Sequence, residues 1–162
     1  MNAEDVSKWL AYDRDTGLLT WKTSPNRRKP IGSPAGSKTS QSYLLIMIGN
    51  ERHAAHRFAW AIHHGNWPKG VIDHINGNGM DNRIDNLRDV TQSVNMQNLR
   101  QPLKNNKSGL LGVRTQKSKI NPFYASININ GSQTYLGCFH TKEQAHAAYV
   151  EAKRVHHAGC TI

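Results

Sequence analysis

Cysteine is nearly absent: the 162 residues hold two, Cys138 and Cys160, and no CxxC pair. A disulfide framework needs paired sulfurs and a structural zinc site needs closely spaced ones, so neither is expected. No apolar run approaches the roughly 18 residues that a membrane-spanning helix requires. The opening MNAEDVSKWLAYD has no basic stretch leading into an apolar one. No signal peptide is therefore expected, and the reading is a soluble, cytoplasmic protein. Hydrophobic residues reach 37% and aromatic ones 7%, with a mean hydropathy of -0.66. That is thin material for one large core and suits modest modules with polar faces.

Acidic residues are also scarce, 11 against 21 Lys+Arg, for a formal net charge of +10. The imbalance is uneven. Residues 1–100 carry 13 basic and 9 acidic side chains, a net of +4, whereas residues 101–162 carry 8 and 2, a net of +6. The shorter C-terminal part is the more basic, as expected of a surface that meets phosphates.

What is present reads as alternating short elements. Residues 3–11 suit a short helix, with Val6, Trp9 and Leu10 on one side, and LLTWK (18–22) a strand. Residues 23–42 are rich in Ser, Pro, Gly, Lys and Arg and read as a loop. YLLIMIGNERHAA forms a hairpin pattern around Gly49-Asn50. From Ala54 to His64, the spacing of Ala55, Phe58, Ala59 and Ile62 predicts an amphipathic helix that Gly65 ends. VIDHI (71–75) and LRDVT (87–91) read as strands flanking a turn-rich loop, and SVNMQNLR (93–100) as a helix. QPLKNNKSG (101–109) has linker composition. Strands are expected near 110–115, 123–129 and 133–139, with a turn at Asn130-Gly131, then a helix capped by Thr141.

The informative stretch is residues 56–98. Asp73 and His74 end a short strand; Asn86 follows twelve positions after the histidine, and Asn95 nine further on, on a helix. Two hairpinned strands and a helix could gather Asp73, His74 and Asn95 around one point. A carboxylate and an amide oxygen are hard ligands suited to Mg²⁺ or Mn²⁺, with positions left for phosphate and water. A neutral imidazole can deprotonate that water. His56, Trp60 and His63 make a second helical stripe, read as packing against the preceding hairpin.

DHINGN, DNR, NLR and the final Asn resemble HNH homing endonucleases of the phage and group I intron type, and residues 18–55 resemble the strand-rich segment that precedes the motif there. The resemblance implies a ββα-metal fold with His74 as general base, Asp73 and Asn95 as metal ligands, and Asn86 holding the histidine-bearing loop. Asn at the last position, where the plainest pattern has His, favours a hard ion over zinc. Asn98, one turn on, is the rival ligand. SGLLGVR, FYASININGSQTYLGCF and the Ala-rich helix (108–159) resemble the ethylene-response-factor, APETALA-type DNA-binding domain, which lays a three-stranded sheet in the major groove. That implies DNA contacts from Arg114, Lys117, Tyr124, Ser126 and Asn128. Phe123 and Asn128 stand where that family has its usual tryptophan and arginine.

The expected architecture is α+β. A nuclease domain spans 1–100, with a strand-rich segment 1–55 and an HNH core 56–100. A linker follows at 101–109, then a three-stranded antiparallel sheet packed on one helix at 110–162. The expected activity is site-specific, metal-dependent cleavage of double-stranded DNA, with no membrane and no protein partner implied. Two alternatives stay open: a non-catalytic DNA-binding regulator with an HNH remnant, and an RNA-directed nuclease.

Overall fold

The computed structural model describes residues 1–162 as a mixed α and β chain of small antiparallel sheets and four helices. It divides into two compact units, Met1–Gln92 and Ser93–Ile162. No helix is long and apolar enough to cross a membrane, and both cysteines are free thiols.

In the first unit, α1 (Ala3–Trp9) starts where the Asn2 side chain accepts a hydrogen bond from Asp5 N. It stops at Trp9, short of the expected end at Ala11, because Leu10–Tyr12 (β1) pairs antiparallel with Leu19–Trp21 (β2). A meander follows: Ser37–Lys38 (β3), Leu44–Ile48 (β4) and Glu51–Ala54 (β5). The loop expected over 23–42 therefore contains a two-residue strand that local composition does not announce. α2 (Ala55–His64) buries Ala55, Phe58, Ala59 and Ala61 and ends at Gly65, whose N–H bonds to Ala61 O. Val6, Leu10, Trp21, Ile46, Phe58 and Ile72 are central to the core, which joins α1, the sheets and α2.

The hairpin of β6 (Val71–His74) and β7 (Leu87–Val90) runs in register from Val71↔Val90 to His74↔Leu87. Both backbone N–H groups of Lys69 and Gly70 are received by the Asp89 carboxylate, at 2.8 and 2.7 Å, which fixes the entry into β6. Before β7 the chain makes a single 3₁₀ turn, Ile84–Asn86.

The second unit begins within α3 (Gln92–Gln97), which ends three residues before the expected Arg100. The intervening residues take partners far along the chain. Lys153 Nζ donates to Leu99 O at 2.5 Å, and Arg100 Nη2 donates to Thr161 O at 3.0 Å. Further on, β8 (Val113–Thr115), β9 (Phe123–Ile129) and β10 (Ser132–Phe139) form one antiparallel sheet in the order β10-β9-β8. α4 (Lys142–His156) opens on a capping box between Thr141 and Gln144 and packs on this sheet through Ala145 and Tyr149. Val113, Ala125 and Ile127 face it from the strands.

Strand β8 starts at Val113 rather than near 110, because Leu111-Gly112 makes a turn. Gly112 sits at φ +72°, and a Cβ there would collide with the Tyr149 ring. Only glycine meets both demands. The preceding segment is ordered locally: Asn106 Oδ1 accepts from Ser108 N and Gly109 N at 2.9 and 3.0 Å.

Candidate active site and nucleic-acid interface

Strand β6 delivers Asp73 and His74 into the interior, 5% and 4% exposed. Asp73 lies opposite Arg88 in the ladder, and the guanidinium donates from Nε at 2.8 Å and Nη2 at 2.6 Å to Asp73 Oδ2. A two-donor arginine holds a carboxylate in a defined orientation, not merely nearby.

The His74 ring is enclosed by side chains from three segments. Nε2 is 3.3 Å from Asn82 Oδ1. The His56 ring from α2 lies edge-on with centroids 5.0 Å apart, and the Tyr43 ring lies 5.8 Å away. Burial pushes the His74 pKa below its ordinary value, opposed by the Asn82 hydrogen bond and by the charges of Asp73 and Asp81. Loss of water around an imidazolium destabilises the charged form, so burial favours the neutral ring. His56 is driven down to about 3, first by burial and then by His74 and Arg57. It is a second uncharged imidazole against the first.

The loop between β6 and β7 is closed around Asn86. Its Oδ1 accepts from Asn76 N at 2.9 Å, its Nδ2 donates to Asp81 O at 2.8 Å, and its own carbonyl accepts from Ile75 N at 2.9 Å. Asp81 adds a bond from Asn76 Nδ2 at 2.8 Å and a paired contact with Arg83. The Arg83 hydrogen bond is the main cause that draws the Asp81 carboxyl down to about 2.

Asn95 lies on α3 and Asn98 just past it, both in the second unit. They differ in their surroundings. Asn98 is 6% exposed, and its Oδ1 accepts a hydrogen bond from Thr161 Oγ1. Asn95 is half-buried, and no hydrogen bond engages its amide. No cluster of three His, Cys, Asp or Glu side chains is arranged for a metal. Within the first unit, the Asp73 carboxylate is a hard oxygen donor, of the kind that suits Mg²⁺ or Mn²⁺ better than zinc.

In the second unit, cross-strand register puts Arg114 beside Tyr124, Tyr124 beside Cys138, Ser126 beside Tyr135 and Asn128 beside Gln133. Directly opposed residues share a face, so these side chains line the surface away from α4. Lys117 lies in the loop from β8 to β9. The face is cross-linked by polar contacts: Gln133 Nε2 donates to Ser126 Oγ at 2.9 Å, and Gln116 Nε2 to Cys138 Sγ at 2.9 Å. A groove of about 1030 Å³ runs along it, with Pro102, Leu103 and Lys107 among its lining residues.

Three side chains at His74 escape a reading of the sequence. His56 falls in a stripe read as packing; it does touch Tyr43 before β4, with rings 5.7 Å apart, but it also touches His74. Tyr43 precedes an apolar strand, and Asn82 is one of several asparagines in a turn-rich loop. The DNR run is the available signal for Asn82.

Residues 53–97 match the family model described as HNH endonuclease, a stretch that includes Asp73, His74, Asn82, Asn86 and Asn95. The family so described is one of nucleases, hydrolases acting on DNA, which generally use a divalent metal ion. Over 80 residues the chain is 40% identical to Protein 3.8 of Escherichia phage T7, an alignment covering 49% of this chain and 63% of that protein. No solved structure matches the chain.

Proposed function

We propose that this chain is a metal-dependent, site-specific DNA endonuclease of the HNH homing type. In this reading, a C-terminal sheet resembling the APETALA-type domain supplies the specificity. The observation that carries the reading is a His74 buried beside Asp73, inside the stretch that matches HNH endonucleases.

In this reading His74 takes a proton from water as its oxygen attacks phosphorus. The bond from phosphorus to the 3′-oxygen breaks, and that oxygen leaves as a hydroxyl once protonated, with the phosphate retained on the 5′ side. Burial removes the need to deprotonate the ring first. Asp73 and Asn95 would hold one Mg²⁺ or Mn²⁺, which when bound supplies electrostatic stabilisation of the charge gathering on the phosphate and leaving oxygen. Arg88 orients Asp73, and Asn86 keeps the loop closed around the end of β6. Double-stranded DNA would meet the sheet face through Arg114, Tyr124, Ser126 and Asn128, with Lys117 at its margin. Tethering reader and nuclease raises the effective concentration of one at the site of the other.

Supercoiled plasmid DNA incubated with Mg²⁺ is expected to be nicked or linearised, and EDTA to stop it. Strand ends should carry 5′-phosphates. Cleavage undiminished by EDTA removes the metal from the scheme, and efficient cleavage of structured RNA but not duplex DNA replaces the substrate. Arg114→Ala is expected to weaken binding on all duplex sequences and to lower the slope of log affinity against log salt by about one. Binding titrations at rising salt read this, and an unchanged slope takes Arg114 out of the DNA footprint.

A further inference from the structure

A neutral histidine is useful as a base only if its lone pair is on the nitrogen that faces the water. The ring has two nitrogens, and whichever one donates a hydrogen bond leaves the other as the acceptor. The partner that makes this choice in the first unit is Asn82.

Asn82 is 2% exposed, and its backbone is pinned from two directions by the β1–β2 hairpin. Its carbonyl accepts from Tyr12 Oη at 2.7 Å. Gly17, at φ +75°, approaches so closely that a Cβ there would stand 2.6 Å from Asn82 C and 2.5 Å from Arg83 N. The side chain of Asn82 is thereby carried to a fixed place, with Oδ1 3.3 Å from His74 Nε2. A carbonyl oxygen can only accept, so this contact is a hydrogen bond only in the tautomer whose proton lies on Nε2. The His56 and Tyr43 rings pack against the imidazole and oppose its rotation.

A buried asparagine could serve merely to tie a loop. Here the loop is already tied by the three bonds of Asn86 and by Asn76 with Asp81, and the hairpin is joined through the Asn82 backbone. The side-chain oxygen of Asn82 is turned instead to His74. We propose that Asn82 is a positioning residue that fixes the Nε2–H tautomer of His74 and so makes Nδ1 the proton acceptor. This rests on the reading of His74 as the general base.

The test combines nitrogen-15 NMR of the imidazoles in the full chain with cleavage kinetics on supercoiled plasmid DNA in Mg²⁺. The wild-type His74 ring, in its neutral form, is expected to show a protonated Nε2 and a bare Nδ1. Asn82→Leu keeps the shape and the backbone carbonyl but removes the acceptor. Its His74 nitrogen signals are expected to converge as the tautomers mix. Its kcat should fall by about a hundredfold, the scale set by a misoriented catalytic group, with KM for the plasmid unchanged. A bare Nε2 in the wild type overturns the proposal whether or not the variant folds. So does a Leu variant with wild-type kcat, or one that loses activity only through KM or with the tautomer unmoved. His74→Ala separates the two layers: cleavage that survives it sinks the base reading, whereas loss of cleavage there with wild-type kcat in Asn82→Leu sinks the positioning role alone.

Discussion

His74→Ala is expected to lower the rate of plasmid cleavage by about 10²–10⁴-fold, the usual contribution of a positioned general base, while DNA binding persists. The two effects separate because His74 is 4% exposed at the end of β6, whereas the proposed binding face belongs to β8, β9 and β10 in the other unit. The substitution also has a structural consequence. It leaves Asn82 Oδ1 without the ring it faces and removes the surface on which His56 and Tyr43 pack. Some loss of stability should accompany the loss of rate, and melting curves must show that the variant is folded at the assay temperature. Added imidazole, small enough to occupy the vacated space, is expected to restore part of the activity in the folded variant. Gel-based cleavage kinetics beside a binding titration decide the matter. A folded His74→Ala that cuts at the wild-type rate ends the mechanism, and one that fails to bind DNA moves His74 from chemistry to recognition.

Much of this arrangement is legible because the deciding interactions are local. The alternation of Tyr124, Ser126 and Asn128 with Ala125 and Ile127 reports a sheet with one dry face, and the strand has that burial. Asn130-Gly131 turns β9 into β10, and Thr141 with Gln144 starts α4. Asp73 and His74 are legible as a strand end, since β6 is short and its loop is dense in turn residues. Long-range partners are what sequence periodicity cannot register. Leu10–Tyr12 looks like the continuation of a helix until Leu19–Trp21 is available to pair with it. SVNMQNLR has the composition of a longer helix, but Leu99 and Arg100 are drawn to Lys153 and Thr161, more than fifty residues away. The same limit applies at His74. Its neighbours come from positions 43, 56 and 82, and only the folded chain brings a tyrosine, a helix histidine and a loop asparagine onto one ring. The composition of 101–109 suggests a flexible connector. Asn106 nevertheless gathers Ser108 and Gly109 into a fixed turn, because an asparagine side chain can satisfy the backbone just ahead of it.

The choice between Asn95 and Asn98 as the second metal ligand makes the remaining strong prediction, and the two side chains differ in a way that separates the outcomes. An amide oxygen has two lone pairs, so one hydrogen bond leaves the other for an ion, but an oxygen without such a bond is the readier ligand. Asn98 is buried and its Oδ1 receives the Thr161 hydroxyl, in a segment further fastened by Arg100 to the same threonine and by Gln97 Oε1 to Gly159 N at 3.0 Å. Asn95, three residues earlier, carries no such bond. Asn95→Ala is therefore expected to leave the melting temperature near wild type. It should raise the Mg²⁺ concentration needed for half-maximal cleavage by at least about tenfold, the scale on which a lost ligand interaction shows in metal affinity. Asn98→Ala should do the opposite. Removing a buried acceptor leaves the Thr161 hydroxyl proton without its acceptor and destabilises the second unit by about 1–3 kcal/mol, with the Mg²⁺ requirement unchanged where the variant is folded. Thermal melts and Mg²⁺ titrations of both variants read this directly. A reversed pattern, with the metal requirement moving in Asn98→Ala and stability in Asn95→Ala, transfers the ligand role to Asn98. If the metal requirement is unmoved in both, neither asparagine holds the ion.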